Sequence, residues 1–174
     1  MTGVFDQMAF RRALGQFPTG VCVMTTKVEG ELLGMTMSSF NSLSLDPALV
    51  LFSIDKRARS LPQWEQARGY AIHVLSEGQQ ALSNRFAGRQ GDKWAGLEFD
   101  TGLFDVPLLH GVAARFECAP HQIHEAGDHR LFIARVDRFT ANPDRRPLLF
   151  TGGRYGAVQS NTEEAPIWPL AIHY

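Results

Sequence analysis

The chain has 174 residues, a net charge of −1, 44% hydrophobic and 20% charged residues, which is the balance of an ordinary globular protein with a sizeable core. That charge leaves no basic footprint for nucleic acid or an anionic membrane, and no apolar run approaches the roughly 20 residues of a membrane span. Two cysteines, Cys22 and Cys118, are far apart and form no metal or redox motif; they are expected as reduced core thiols of a cytoplasmic protein. The first residues, MTGVFDQMAFRR, lack the pattern of a secretory signal. One domain is expected over 1–174, with its core at about 10–156 and an extended arm at 157–174.

Asp6 to Phe17 reads as a helix, because Phe10, Ala13, Leu14 and Phe17 share one face and Pro18 stops it. Gly20 to Thr26 is a β-branched apolar strand, and Leu32 to Ser38 returns beside it after a turn at Glu29–Glu31. Asp46-Pro47 turns the chain into a strand from Ala48 to Ile54, and Ser60 is placed to start a short helix through Trp64. Tyr70 to Leu75 is a further strand. Ser76 and Gln79 match a capping box, so a helix is expected to follow to about Phe86, burying Leu82 and Phe86. Gly88 to Gly102 reads as a polar loop anchored by Trp94 and Leu97. Gly111 to Cys118 is a strand that Pro120 disturbs or ends. Ala126–Asp128 is a turn, and Leu131 to Phe139 alternates as an antiparallel strand does. A last short strand, Pro147 to Thr151, leads to the turn Gly152-Gly153. Strands dominate without βαβ alternation, so the fold class is mostly β, an antiparallel barrel with a few peripheral helices.

The chemistry-bearing stretch is GMTMSSFNSLSLDPALVLFSID, Gly34 to Asp55. Its hydroxyls, on Thr36, Ser38, Ser39, Ser42 and Ser44, lie beside one rigid strand and suit a ligand rich in acceptors; the alternative is a hairpin with solvated hydroxyls. Asp55-Lys56-Arg57-Ala58-Arg59-Ser60 puts cations and a hydroxyl past a strand end, a phosphate grip or a solvated turn. Arg85-Phe86-Ala87 has the same two readings. Gly127-Asp128-His129 is a tight turn that presents His129 as a hydrogen-bond donor or as surface decoration. Cys118, His121 and His124 have zinc-ligand chemistry, but residues three apart on a strand face opposite ways, which disfavours a metal. There is no GxGxxG, GxxxxGK[ST] or GxSxG motif.

Taken in order, FRRALGQFPTGVCVMTT, GMTMSSFNSLSLDPALVLFSID, HVLSEGQQALSNRFAG, GDH and PLLFTGGRYG resemble the short-chain flavin reductases of two-component flavin monooxygenases. The resemblance spans Phe10 to about Gly156. It implies an FMN-binding split barrel, FMN or FAD as flavin, and NADH as reductant, with NADPH the alternative. By resemblance Thr36, Met37, Ser38 and Ser39 line the flavin ring, and Ser53, Ile54 and Asp55 run beside it. Lys56 and Ser60 lie near the phosphate, closed off by Arg85, Phe86 and Ala87. His129 contacts the nicotinamide nucleotide, flanked by Gly152, Gly153, Arg154 and Tyr155. Asp46-Pro47-Ala48 departs from the double proline expected there. The implied partners are a homodimer mate, with the apolar N-terminal helix as a contact, and a separate monooxygenase met transiently. NADH is preferred because no basic cluster for an extra phosphate is evident. Competing expectations on the same barrel are an FMN oxidase of the pyridoxamine-phosphate type and a non-enzymatic flavin or haem module.

Overall fold

Asp6 caps the first helix, α1 (Gln7–Leu14), by accepting from the N–H groups of Met8 and Ala9. The structure is a computed structural model that describes residues 5–89 and 91–159. After α1 come β1 (Thr19–Gly20), β2 (Cys22–Val28), β3 (Glu31–Met37), β4 (Asn41–Leu45) and β5 (Ala48–Asp55). Then follow α2 (Leu61–Gln66), β6 (Tyr70–Val74), α3 (Gln80–Ala87), β7 (Phe99–Thr101) and β8 (Pro107–Leu109). The long hairpin β9 (Ala114–Ala126) and β10 (His129–Ala141) precedes β11 (Leu148–Thr151) and β12 (Arg154–Ala157). Most of the expected arm, 160–174, lies outside the described residues, and its first residue, Ala157, ends β12.

Seven strands form one antiparallel sheet in the order β3-β2-β6-β9-β10-β5-β4. Its two outer strands, β3 and β4, are joined by Ser38, Ser39 and Phe40 alone, so the chain itself draws the sheet edges together. This is the mostly β, antiparallel split barrel expected from the sequence. The seam is held where β4 stops pairing with β5. The N–H of Ser53 donates to Ser39 Oγ at 3.1 Å, and that hydroxyl lies 3.2 Å from the Ser53 carbonyl. The barrel therefore parts between β3 and the end of β5.

Phe52 and Phe132 stack at 5.0 Å inside the barrel, with Tyr70 edge-on to Phe52 at 5.3 Å. Leu61 and Trp64 of α2 are buried in the same cluster. Burying rings of this size contributes about 1.5–3 kcal/mol each. β2 is apolar on both faces because it is buried on both. Cys22 and Met24 face the barrel, while Val21 and Val23 pack with Leu75, Phe86 and Leu148 in a second cluster under α3. Trp94 and Leu97 anchor the following loop to that cluster, as expected.

Some boundaries differ from the sequence reading. Ser76 does not cap α3: its hydroxyl donates to the Gly111 carbonyl, and it is held in a bridge to Pro147. Half of the expected box remains, since Ser76 N–H donates to Gln79 Oε1 at 3.0 Å, and the helix begins at Gln80. Pro120 does not end β9. Gln122 pairs with Ile133 and Pro120 with Ala134, so His121 is the extra residue of a bulge, where a missing N–H is tolerated. Cys118 is buried while His121 and His124 are exposed, and no metal-ligand group forms among the described residues.

Candidate functional site

A cleft of ≈ 770 Å³ opens at the barrel seam. One wall is the free edge of β3 with α3 packed beside it. In an antiparallel ladder every second residue turns its N–H and C=O away from the partner strand. On β3 these outward groups belong to Leu32, Gly34 and Thr36. Trp94 Nε1 donates to the Leu32 carbonyl at 2.9 Å, and Lys93 Nζ donates to the Gly34 carbonyl at 3.3 Å. The edge is thus covered at 32 and 34, and the outward groups of Thr36 come next, where Met35 and Thr36 line the cleft. The Thr36 hydroxyl itself donates to the Ser83 carbonyl at 2.6 Å, tying β3 to α3. Gly34 permits this approach: a Cβ there would collide with the ring of Phe86, which is fully buried and reaches the cleft.

The opposite wall is the turn after β5. Asp55 accepts from the N–H of Arg57 at 2.8 Å and from its guanidinium Nη2 at 2.7 Å. These bonds, the side-chain one first, hold the Asp55 carboxyl well below the usual range. Arg57, Arg59 and Ser60 line this side, and Ser60 is the N-cap residue of α2 without a side-chain capping bond.

Of the expected site residues, Thr36, Asp55, Ser60, Phe86 and Ala87 come together around this cleft. Met37 and Ile54 are core residues whose side chains face the barrel interior. Ser39 and Ser53 form the seam just described, and Ser38 is exposed. Two expected phosphate cations are committed elsewhere. Lys56 forms an ion pair with Glu125, and Arg85 donates to the Ala95 carbonyl at 2.6 Å.

His129 pairs directly across from Asp55 in the β10–β5 register. The Asp128 carbonyl accepts from Lys56 N–H at 3.0 Å, which docks the GDH turn against the cleft wall. His129 Nδ1 lies 2.7 Å from Asp128 Oδ1, and this bond lowers the Asp128 carboxyl below its ordinary value. The Asp128 carboxylate accepts this hydrogen bond from Nδ1–H, which leaves Nε2 as the other ring nitrogen. Gly152 and Gly153, at φ 56° and 78°, make the turn between β11 and β12, which leaves Arg154 exposed. Tyr155 reaches back to α3, its hydroxyl 2.9 Å from Ser83 Oγ and 2.8 Å from Asn84 Oδ1. Ser83 thus connects Tyr155 to Thr36.

Lys93 and Arg89 line the cleft and were not singled out from the sequence. They follow α3 in a stretch without periodicity. The available signal was the adjacent Trp94, whose anchoring to β3 dictates where Lys93 points.

A family model described as "Flavin reductase like domain" matches residues 14–159. The FMN reductase (NADH) SmoA of Agrobacterium fabrum is 44% identical over 151 residues, covering 87% of this chain and 86% of the relative. The crystal structure of nitrilotriacetate monooxygenase component B from Mycobacterium thermoresistibile superposes with a TM-score of 0.90 at 37% identity, over 97% of this chain and 96% of that one. The NADH:FAD oxidoreductase SgcE6 of Streptomyces globisporus, solved with NAD and FAD fragments, gives a TM-score of 0.86 at 36% identity, over 91% and 96% of the two chains.

Proposed function

This chain belongs to the flavin reductase-like domain family, and on that premise we propose that it moves hydride from NADH to FMN or FAD and supplies the reduced flavin to a separate monooxygenase. The observation that carries the reading is the seam cleft, with the outward edge of Thr36 on one wall and cations on both. The donor set fits a flavin nucleotide. Met35 offers an apolar contact for a ring, the Thr36 backbone offers a donor to an acceptor-rich ring edge, and the basic side chains suit phosphate. A bound flavin supplies the acceptor for the hydride and its electron pair as the nicotinamide becomes its oxidised, positively charged form.

The chain's own task is orientation. Ser39 and Ser53 keep the seam rigid, so the Thr36 edge is fixed before the ligand arrives. Fixed N–H donors favour negative charge that develops on reduction. Asp128 sets the His129 ring, leaving Nε2 to position the nicotinamide nucleotide. Hydride transfer requires no general base, and the described residues that line the cleft include one carboxylate, Asp55. Ser38, Ser53, Gly152, Arg154 and Tyr155 are assigned supporting contacts on the two faces of the site.

Several finer features belong to the same reading. We take the whole chain as one such domain. A homodimer is favoured by α1, on which Phe10 and Leu14 are exposed at 48% and 58%, with Phe17 beyond it at 72%. The monooxygenase encounter is transient, since the reduced flavin must leave. Two buried free thiols, Cys22 and Cys118, suit the cytoplasm. NADH oxidation by the purified chain, with and without added FMN, tests the function. Oxidation that rises and saturates with FMN is expected; a folded chain that binds FMN yet oxidises no NADH would overturn the reading in favour of an oxidase or a storage module.

A further inference from the structure

The cations of the cleft are not equivalent. Arg57 is spent on Asp55, while Lys56 and Arg85 are turned away to Glu125 and Ala95. Arg59 and Arg89 are exposed side chains on the rim. Lys93 differs from all of these. Its ammonium donates to the Phe86 carbonyl at 2.9 Å and to the Gly34 carbonyl at 3.3 Å, bridging the end of α3 to the edge of β3. Trp94 pins the next position: its indole donates to Leu32, and its ring meets Phe86 edge-on at 5.1 Å. Asp92, the nearby acid, is used by the turn, accepting from Trp94 N–H at 2.8 Å. Among the described residues Lys93 thus has two neutral acceptors and no carboxylate.

Such an ammonium is costly to hold. Burial lowers the Lys93 pKa, and carbonyl dipoles offset only part of the lost hydration. Its third N–H has no partner among the described residues, and the side chain borders the cleft. Its rotamer is already fixed, so a ligand anion meets a preorganised charge with little further loss of entropy.

We propose that Lys93 is the cation that grips the flavin phosphate and makes the site select phosphorylated flavins over riboflavin. The inference rests on the flavin-reductase reading above. It assigns the phosphate to a residue in the loop after α3 instead of Lys56 or Arg85, whose side chains leave the cleft. The negative charge of a phosphate matches an ammonium on the wall, whereas the oxidised flavin ring is neutral.

The test is equilibrium binding of FMN and of riboflavin, by flavin fluorescence, to the full chain and to Lys93→Met. Losing one charge-assisted contact should weaken FMN binding about 10- to 100-fold, with riboflavin changed by less than about 2-fold. Lys93→Gln is the second variant. It retains an amide donor for the two carbonyls without the charge, so it should repeat the pattern even if the Met variant folds poorly. Lys93→Arg should recover part of the FMN preference. Equal weakening of both flavins would overturn the proposal and make Lys93 a tie between α3 and β3. Unchanged FMN binding would overturn it as well. The titration uses no nicotinamide, so it is separable from the reductase reading. A chain that prefers FMN through Lys93 but oxidises no NADH would refute that reading and leave this one intact. Turnover that is indifferent to the phosphate before and after substitution would do the reverse.

Discussion

His73 makes stability depend on pH between 7.5 and 5 in a way that one substitution can isolate. The ring is fully buried on β6, with Nδ1 2.9 Å from the Val23 carbonyl and Nε2 accepting from Leu109 N–H at 3.1 Å. Nδ1 therefore carries the proton, and protonating Nε2 would set one N–H against another. Burial pushes the pKa down from 6.5 to about 4. Above the unfolded value both states are neutral and the group has no effect. As pH falls from 6.5 towards 4, the unfolded chain takes up a proton that the folded chain refuses, so stability falls with pH. With those two values the loss between pH 7.5 and pH 5 is about 2 kcal/mol, rising to about 3 kcal/mol below pH 4. Carboxylates held low in the fold, such as Asp55 and Asp128, lose their contribution mainly at lower pH. Urea unfolding followed by tryptophan fluorescence at both pH values, for the native chain and His73→Gln, measures the difference. The native chain should lose about 2 kcal/mol more than the variant over this interval. Parallel losses, within about 0.5 kcal/mol, would show that His73 titrates alike in both states and would refute the reasoning.

Three further outcomes follow from the geometry. Gly34→Ala forces the fully buried Phe86 ring aside; overpacking of this kind costs about 1–3 kcal/mol, a drop in Tm of about 3–10 °C by thermal unfolding, and FMN binding should weaken with it. His129→Ala should raise the KM for NADH about 10-fold, equivalent to one lost contact, with FMN affinity retained; equal loss of both would remove His129 from the nicotinamide side. If α1 forms the dimer contact, Leu14→Glu, at a position 58% exposed in the single chain, should shift sedimentation towards monomer without lowering Tm, and an unchanged dimer would place the interface elsewhere.

Much of the cleft could be named from residue order alone. Thr36, Asp55, Ser60 and Phe86 lie at strand ends or on an amphipathic helix, where local periodicity decides which way a side chain points. GVCVMTT could be read as an apolar strand, and the sheet buries it on both faces, with Val23 and Met24 at 0% exposure. What tertiary structure decided were matters of register and competition between partners. Lys56 and Arg85 carry the right charge for a phosphate, yet Glu125 and the Ala95 carbonyl hold them. Ser76 has the residue type of a cap, yet Gly111 claims its hydroxyl from 35 positions away. The bulge that admits Pro120 exists because β10 lies opposite with one residue fewer. The seam also depends on the sheet order: Ser39 lies in the link between the two edge strands, β3 and β4, and meets Ser53 on β5, the strand beside β4. Local chemistry could determine which residues are able to bind a nucleotide. Only the closed barrel determined which of them face the cleft, because facing depends on partners that sequence distance does not reveal.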